Sequence, residues 1–211
     1  MFDLDGTLAN TLADIAAASN SALAQLDRPT YEVDQYPAFI GHGAPWLAQK
    51  ALGQAHHHLA PKMVELILEY YKQFGHELTQ PYDGIAELLN MLDQNNIRKV
   101  VLSNKPDGPA KLTMQHKFTA WSFDAVMGHL PPTPLKPDPT SAIMLMSQLG
   151  IAPEHWLYLG DSSVDMQTAK AAGIFAVGAT WGFNDKQSLR DGGADALIDH
   201  PSELISLLTG N

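Results

Sequence analysis

Residues 82–211 alternate between short apolar runs and longer segments with helical periodicity. The apolar runs lie at residues 99–102, 123–127, 156–159, 175–177 and 196–198. Short apolar runs bounded by Gly, Asp or Asn are typical of buried strands. Between them, apolar positions such as 85, 88, 89 and 92 recur at helical spacing. The alternation predicts an α/β fold, a parallel sheet with helices on both faces, in which ligands bind beyond the carboxyl ends of the strands.

Residues 12–80 have a different pattern. Segments 12–26, 44–52 and 62–74 are predicted helices, and no strand is predicted among them. This helical block follows the first strand-like element, and the alternation resumes near Pro81. We therefore predict an α/β core from residues 1–11 and 81–211, and a small all-helical cap from residues 12–80. Residues 9–11 and 81–84 are the predicted hinge strands.

The composition argues against several functions. The 211 residues include 13 Lys and Arg against 23 Asp and Glu, a formal net charge of −10, and no cysteine. Nucleic-acid affinity comes largely from Lys and Arg that neutralise phosphates, so no nucleic-acid partner is expected. The lack of cysteine excludes a disulfide scaffold and a Cys-ligated metal site. No segment has the roughly 18 apolar residues that cross a bilayer, and residues 1–5 lack the features of a secretory signal. We therefore expect no membrane partner and a cytoplasmic location.

Chemically active side chains follow several of the predicted strands. If the sheet is parallel, these ends meet at one edge, which would hold four carboxylates, one lysine and two hydroxyls: Asp3, Asp5, Asp161, Asp165, Lys136, Thr7 and Ser103. Four carboxylates repel one another and need a cation. Because all of these ligands are oxygens, they favour Mg²⁺ over a softer metal.

The spacing of Asp3 and Asp5 suits two different catalytic roles. They lie two residues apart after a strand, and Gly6 permits the chain to turn there. One carboxylate can act as a nucleophile and the other as a general acid–base group. A lysine and small hydroxyls suit the equatorial oxygens of a phosphoryl group. The set therefore indicates phosphoryl transfer.

Four motifs, in this order, resemble those of the haloacid-dehalogenase-like hydrolase superfamily. They are Asp3-x-Asp5-x-Thr7, Ser103, Lys136, and Gly160-Asp161-Ser162-x-x-Asp165, and the match covers essentially the whole chain. The surrounding residues resemble the phosphoglycolate phosphatase branch: Ser103-Asn104-Lys105-Pro106, Lys136-Pro137-Asp138-Pro139 and Ile40-Gly41-His42-Gly43. The resemblance implies a Rossmann-like core with a helical cap between the first and second motifs, where the helical block lies.

The resemblance also implies a role for each motif residue. Asp3 would attack phosphorus and form an aspartyl phosphate, while Asp5 would protonate the leaving oxygen and then activate water. Mg²⁺ would be held by Asp3, the main-chain carbonyl of Asp5, Asp161 and Asp165, and the phosphoryl group by Thr7, Ser103, Asn104 and Lys136. His42, between two glycines of a loop expected to face the site, is a candidate substrate contact.

The expected activity is Mg²⁺-dependent hydrolysis of a small phosphorylated metabolite, with 2-phosphoglycolate as a candidate, by a monomer or a homodimer. A sugar-phosphate mutase such as β-phosphoglucomutase is the main alternative, because it would use the same Asp3 and Asp5. A phosphonatase would need a cap lysine as a Schiff-base amine. A non-catalytic signalling module shares the acidic cluster and the phosphorylated Asp, but it lacks an acid–base Asp two residues later and a helical cap.

The first predicted strand is unusually short. Only Met1 and Phe2 precede Asp3, whereas the family's first strand is longer and lies in the middle of the sheet. A stub there would leave backbone groups of its neighbours unpaired. We therefore expect the natural chain to begin upstream, and an intact mass above the 22.9 kDa of this sequence would verify it.

Overall fold

The computed structural model describes residues 1–209, which form strands and helices in alternation after residue 81. The strands are β1 (Ala9–Asn10), β2 (Gln80–Pro81), β3 (Val100–Pro106), β4 (Ala125–His129), β5 (Leu157–Gly160), β6 (Phe175–Ala179) and β7 (Ala196–Ile198). The α-helices are α1 (Leu12–Gln25), α2 (Ala44–Leu52), α3 (Ala60–Gln73), α4 (Ile85–Gln94), α5 (Asp107–Lys117), α6 (Thr140–Leu149), α7 (Ser163–Ala172), α8 (Lys186–Asp191) and α9 (Glu203–Thr209). Short 3₁₀ helices lie at Val33–Phe39, Gln54–Leu59 and Pro153–His155.

The main sheet is parallel and has residues 1–3 at its centre. Strand β3 pairs with β4, and β5, β6 and β7 pair in that order, all in parallel. Phe2 joins the two halves, because it forms parallel bridges to Val101 of β3 and to Leu159 of β5. The order across the sheet is therefore β4, β3, residues 1–3, β5, β6, β7. This arrangement confirms the predicted Rossmann-like α/β class.

Helices cover both faces of the sheet because the strands are apolar on both sides. Successive side chains of a strand point to opposite faces. Val101 accordingly packs in one buried cluster with Leu88 of α4, whereas Val100 and Leu102 pack in a second cluster with Leu145 of α6. All five side chains are at most 2% exposed. Truncating one of these leucines to Ala would cost about 2–5 kcal/mol of folding free energy.

Helices α1, α2 and α3 enclose a hydrophobic cluster of their own. Small side chains such as Ala18 of α1 and Ala48 of α2 are fully buried in it, beside Met63 of α3 and the ring of Tyr36. Strands β1 and β2 pair antiparallel where the chain enters and leaves this helical part, with Ala9 opposite Pro81. The helices lie where the sequence pattern placed them, but the division into a core and a cap with those boundaries stays a prediction.

Several element boundaries differ from those predicted. The strand predicted at residues 123–127 lies at Ala125–His129, because Asp124 instead binds Lys99: its N–H donates to the Lys99 carbonyl and its carboxylate accepts from the Lys99 N–H. The strand predicted at 99–102 continues through polar residues to Pro106. In the part of the chain that the structure describes, no helix is both long and apolar enough to cross a membrane.

Candidate active site

The carboxyl ends of the three central strands deliver the predicted site residues to one place. Asp3 follows the bridge at Phe2, and its N–H donates to the Leu159 carbonyl of β5 at 2.9 Å. Asp161 follows β5 directly, and Ser103 lies within the neighbouring β3. All three residues are buried. The parallel order of the strands therefore brings together residues that lie far apart in the sequence.

Asp3, Asp161 and Asp165 form a buried carboxylate cluster. One carboxylate oxygen from each residue lies within 4.8 Å of the others. Burial, reinforced by Asp165 and partly opposed by Lys136, raises the pKa of Asp3 to about 7. Burial, reinforced by Asp165 and Asp3, also raises the pKa of Asp161 well above its usual range. The cluster therefore has less positive charge around it than three ionised carboxylates need.

Lys136 is the cation of this cluster. Its Nζ lies 2.6 Å from Asp165 Oδ1 and 3.1 Å from Asp3 Oδ1, and it donates to the Tyr158 hydroxyl at 2.9 Å. Burial acts to lower the pKa of Lys136, but Asp165 and Asp3 outweigh it and hold that pKa well above the usual value. The lysine is 4% exposed, so it is a fixed charge next to Asp3 rather than a surface group.

Asp161 is fixed in place by its neighbours. Its Oδ1 accepts from the Thr7 hydroxyl at 3.1 Å, and its Oδ2 accepts from the Phe183 N–H at 2.8 Å. Gly6 has a φ of +81°, and a Cβ at this position would lie 2.2 Å from Asp161 Oδ2. Only glycine combines this backbone conformation with such a close approach. Thr7 itself is fully buried, and its hydroxyl is used to hold Asp161.

Both carboxylate oxygens of Asp165 accept hydrogen bonds from the protein. Its Oδ2 accepts from the hydroxyl and the N–H of Ser162, and its own N–H donates to the Ser162 hydroxyl, which forms a capping box at the start of α7. Its Oδ1 accepts from Lys136. Asp165 thus begins a helix and pairs with the site lysine at the same time.

Asn104 is placed differently from the expectation. Its side-chain NH₂ group donates to the carbonyls of Gly41 and Lys136 at 2.9 and 3.0 Å, and its Oδ1 accepts from the Lys136 N–H at 2.8 Å. Both amide protons are therefore used within the protein. The side chain of Asn104 thus holds Lys136 and the Gly41 loop in place, and the expected contact of Asn104 with a phosphoryl group stays a prediction.

Asp5 faces a lysine that the sequence analysis did not assign to the site. Lys105 Nζ lies 3.0 and 3.3 Å from the two oxygens of Asp5 and 3.3 Å from the Tyr71 hydroxyl of α3. Burial acts to lower the pKa of Lys105, but Asp5 and Tyr71 outweigh it and raise that pKa. The signal was present in the sequence, since Lys105 shares a strand face with Ser103 two residues earlier.

A cleft of about 750 Å³, including its open mouth, lies between the carboxylates and the helices of the N-terminal part. Asp3, Asp5, Ser103 and Asp161 line it from the sheet side. The opposite wall comes from apolar side chains of α1, the first 3₁₀ helix, α2 and α3: Ile15, Pro37, Ile40, Leu47, Ile67 and Tyr71. His42 is exposed and packs against Trp46 with ring centroids 5.0 Å apart; it does not line the cleft.

The sequence matches a family model described as haloacid dehalogenase-like hydrolase over residues 1–179. The chain belongs to this family.

Relatives in sequence and in structure are similar to this chain over most of their length. A phosphoglycolate phosphatase of Pseudomonas savastanoi is 32% identical over 97% of this chain and 77% of its own, and one of Photobacterium profundum is 33% identical over 98% and 93%. A predicted phosphoglycolate phosphatase from Haemophilus somnus has a TM-score of 0.89 at 27% identity, covering 98% of this chain and 95% of its own. A predicted phosphatase from Clostridium acetobutylicum has a TM-score of 0.88 at 25% identity, covering 100% and 97%.

The carboxylate cluster of this haloacid dehalogenase-like hydrolase suits a metal ion. It offers only oxygen ligands, the donor type that hard divalent cations prefer. Three buried carboxylates face a single lysine, so a cation would supply the charge that the raised pKa values of Asp3 and Asp161 show to be missing. Asp5 lies outside this cluster, so its expected contribution through the main chain stays a prediction.

Proposed function

We propose that this hydrolase acts on 2-phosphoglycolate through an aspartyl phosphate formed on Asp3, with Mg²⁺ as its metal ion. Its family and relatives show that the protein is an enzyme, a phosphatase. The position of Asp3 supports the proposed mechanism. Its carboxylate lines the cleft, within 4.8 Å of carboxylate oxygens of Asp161 and Asp165, and Lys136 pairs with both Asp3 and Asp165.

Asp3 is the proposed nucleophile because its orientation is fixed. Its Oδ1 accepts from the Leu4 N–H at 2.7 Å and contacts Lys136, so the other oxygen is free to attack phosphorus. A metal ion held by Asp3, Asp161 and Asp165 would restore the ionised, nucleophilic form of Asp3 and neutralise charge on the phosphoryl group. Attack forms the aspartyl phosphate and breaks the bond between phosphorus and the ester oxygen.

Asp5 is the proposed general acid–base group. It lines the same cleft two residues from Asp3 and is only partly buried, so it can exchange a proton with substrate and water. It would protonate the leaving ester oxygen and afterwards take a proton from the water that hydrolyses the aspartyl phosphate. Phosphate is then released and Asp3 is regenerated.

The phosphoryl oxygens would contact Ser103 and Lys136. The Ser103 side chain lines the cleft beside Asp3, and the Lys136 ammonium lies 3.1 Å from the Asp3 carboxylate. Thr7 and Asn104 act indirectly, since the side chain of Thr7 holds Asp161 and that of Asn104 holds Lys136. We therefore assign them to positioning the site rather than to direct phosphate binding.

The substrate proposal depends on the relatives named phosphoglycolate phosphatase and on the cleft. Its far wall is apolar, and it offers few polar groups beyond those of the sheet edge. Such a cleft suits a small phosphomonoester better than a large polar one. The partner is therefore a small phosphorylated metabolite.

The test is phosphate release from a panel of small phosphomonoesters with Mg²⁺ and with EDTA. The panel contains 2-phosphoglycolate, hexose phosphates, nucleoside monophosphates and pyrophosphate, and Asp3→Asn is the inactive control. We expect metal-dependent release concentrated on 2-phosphoglycolate. Isomerisation of a hexose phosphate that needs a sugar bisphosphate and releases no net phosphate would favour a mutase instead. No release from any compound by folded protein would refute the proposed function.

A further inference from the structure

Lys105 is a buried charged residue that neither the metal cluster nor the phosphoryl contacts use. It is 7% exposed and lies near the end of β3. Its ammonium donates to both oxygens of Asp5 and to the Tyr71 hydroxyl, and it lies 4.7 Å from the centre of the Tyr71 ring. Burying a lysine to this extent costs folding free energy unless its charge is paired. These contacts pair the charge and hold the ammonium at one point of the cleft wall.

The charges around the cleft are unevenly distributed. Asp3, Asp5 and Asp161 line it, and Lys105 is the one Lys or Arg among the lining residues that the structure describes. Lys136 lies next to Asp3, where the proposed reaction uses it for the phosphoryl group, and it does not line this cleft. Lys105 is therefore the cation of this lining that could attract a second negative group of a substrate besides its phosphate.

The proposed reaction places that second group within reach of Lys105. Asp5 protonates the ester oxygen, so this oxygen lies within hydrogen-bond distance of Asp5. Lys105 Nζ lies 3.0 Å from the same carboxylate. A substituent on the carbon that bears the ester oxygen therefore lies about one hydrogen bond from Lys105, whereas a charge further along a longer chain would extend past it towards the apolar wall.

Tyr71 adds a second donor at the same point. A lysine ammonium can only donate hydrogen bonds, so the Tyr71 hydroxyl accepts one from Lys105. The hydroxyl proton of Tyr71 remains available for donation to another group. Within residues 1–209, no protein acceptor is found for that proton. When Asp5 carries the proton that it gives to the ester oxygen, it needs only one hydrogen bond from Lys105, which releases another N–H of the ammonium. That N–H and the phenol together form a pair of donors that suits the two oxygens of a carboxylate.

We propose that Lys105, assisted by the Tyr71 hydroxyl, binds a carboxylate carried on the leaving group and so selects phosphorylated 2-hydroxy acids over neutral phosphomonoesters. The inference rests on the proposed phosphatase function and deepens it. Lys105 is the specificity-determining residue for the part of the substrate that is not the phosphate.

The test compares two substrates that differ in one group. 2-Phosphoglycolate carries a carboxylate where 2-hydroxyethyl phosphate carries a neutral hydroxymethyl group. We expect Lys105→Met to lower the ratio of kcat/KM for 2-phosphoglycolate to that for 2-hydroxyethyl phosphate by at least about tenfold, mainly through a higher KM. Tyr71→Phe should lower the same ratio by about threefold, and Lys105→Arg should recover part of it.

Lys111→Met is the matched control, because Lys111 is an exposed lysine of α5 that pairs with Asp107 away from the cleft. Its ratio should equal that of the parent. If Lys105→Met lowers kcat equally for both substrates, Lys105 only positions Asp5 and the inference fails. If the parent enzyme cleaves both substrates equally well, the inference also fails while the phosphatase function stands. If it cleaves neither, the proposed function itself has failed. Should Lys105→Met not fold, the ratio for Tyr71→Phe decides.

Discussion

Replacing Gly6 with Ala should damage catalysis much more than stability. The substitution adds one methyl group at a φ of +81°, where an L-residue loses about 1–2 kcal/mol. The new Cβ would lie 2.2 Å from Asp161 Oδ2, and this carboxylate cannot simply turn away, because Thr7 and Phe183 hold both of its oxygens. Restoring an ordinary contact requires a displacement of about 1 Å, which in an active site costs about 100-fold in rate.

The assay measures kcat/KM for Mg²⁺-dependent phosphate release together with the free energy of unfolding in urea. Gly150→Ala is the matched control, since Gly150 also has a positive φ, +64°, but a Cβ there would meet nothing within 4 Å. Both variants should lose about 1–2 kcal/mol of stability, and only Gly6→Ala should lose about 100-fold in kcat/KM. A Gly6→Ala enzyme with more than about a tenth of parental activity would refute the argument that this contact fixes Asp161.

Three further results are expected. Asp3→Asn should lower kcat by more than about 100-fold in phosphate-release assays and leave the circular dichroism spectrum unchanged; a smaller loss would mean that the nucleophile is another residue. Because burial raises the pKa of Asp3 to about 7 without metal, the metal-free protein should lose stability as pH rises from about 4 to about 7. Mg²⁺ should therefore raise the Tm more at pH 8 than at pH 5, and Asp161→Asn should abolish this rise; an equal rise at both pH values contradicts the reasoning. Asp14→Ala should cost about 2 kcal/mol in urea unfolding, because the Asp14 carboxylate accepts from the N–H and the hydroxyl of Thr79 beside β2; no change would show that these bonds do not stabilise the fold.

Much of the sheet could be predicted from the sequence, because buried parallel strands have a plain signature. Runs such as residues 156–159 are continuously apolar and end at Gly-Asp, and the structure confirms a strand there, at Leu157–Gly160. The extension of β3 to Pro106 could not be predicted in the same way. Its Ser, Asn and Lys residues are typical of a loop, and the strand accommodates them because each side chain has a partner: the Lys105 N–H for Ser103, the Lys136 backbone for Asn104 and Asp5 for Lys105.

The motifs allowed us to predict which residues lie at the site, but not which groups each side chain contacts. The residue types of Thr7 and Asn104 fit phosphate binding, yet their hydrogen bonds go to Asp161 and to the backbone around Lys136. A sequence shows which donors reach a strand end, but not which of them the protein itself uses. That depends on contacts between residues about 30 to 150 positions apart, as in the bond between Thr7 and Asp161.

The residues that are unfavourable for folding at their positions are the residues that form the site. A buried cluster of three carboxylates and a lysine near the end of a buried strand each oppose folding unless something offsets their charge. Lys136 offsets part of the charge of Asp3 and Asp165, and Lys105 offsets that of Asp5. The remaining imbalance lies at Asp3 and Asp161, where a metal ion and a phosphoryl group would meet. Among the buried carboxylates of this site, the uncompensated charge thus lies where the proposed reaction supplies the compensation, and a bound cation and substrate should stabilise the protein.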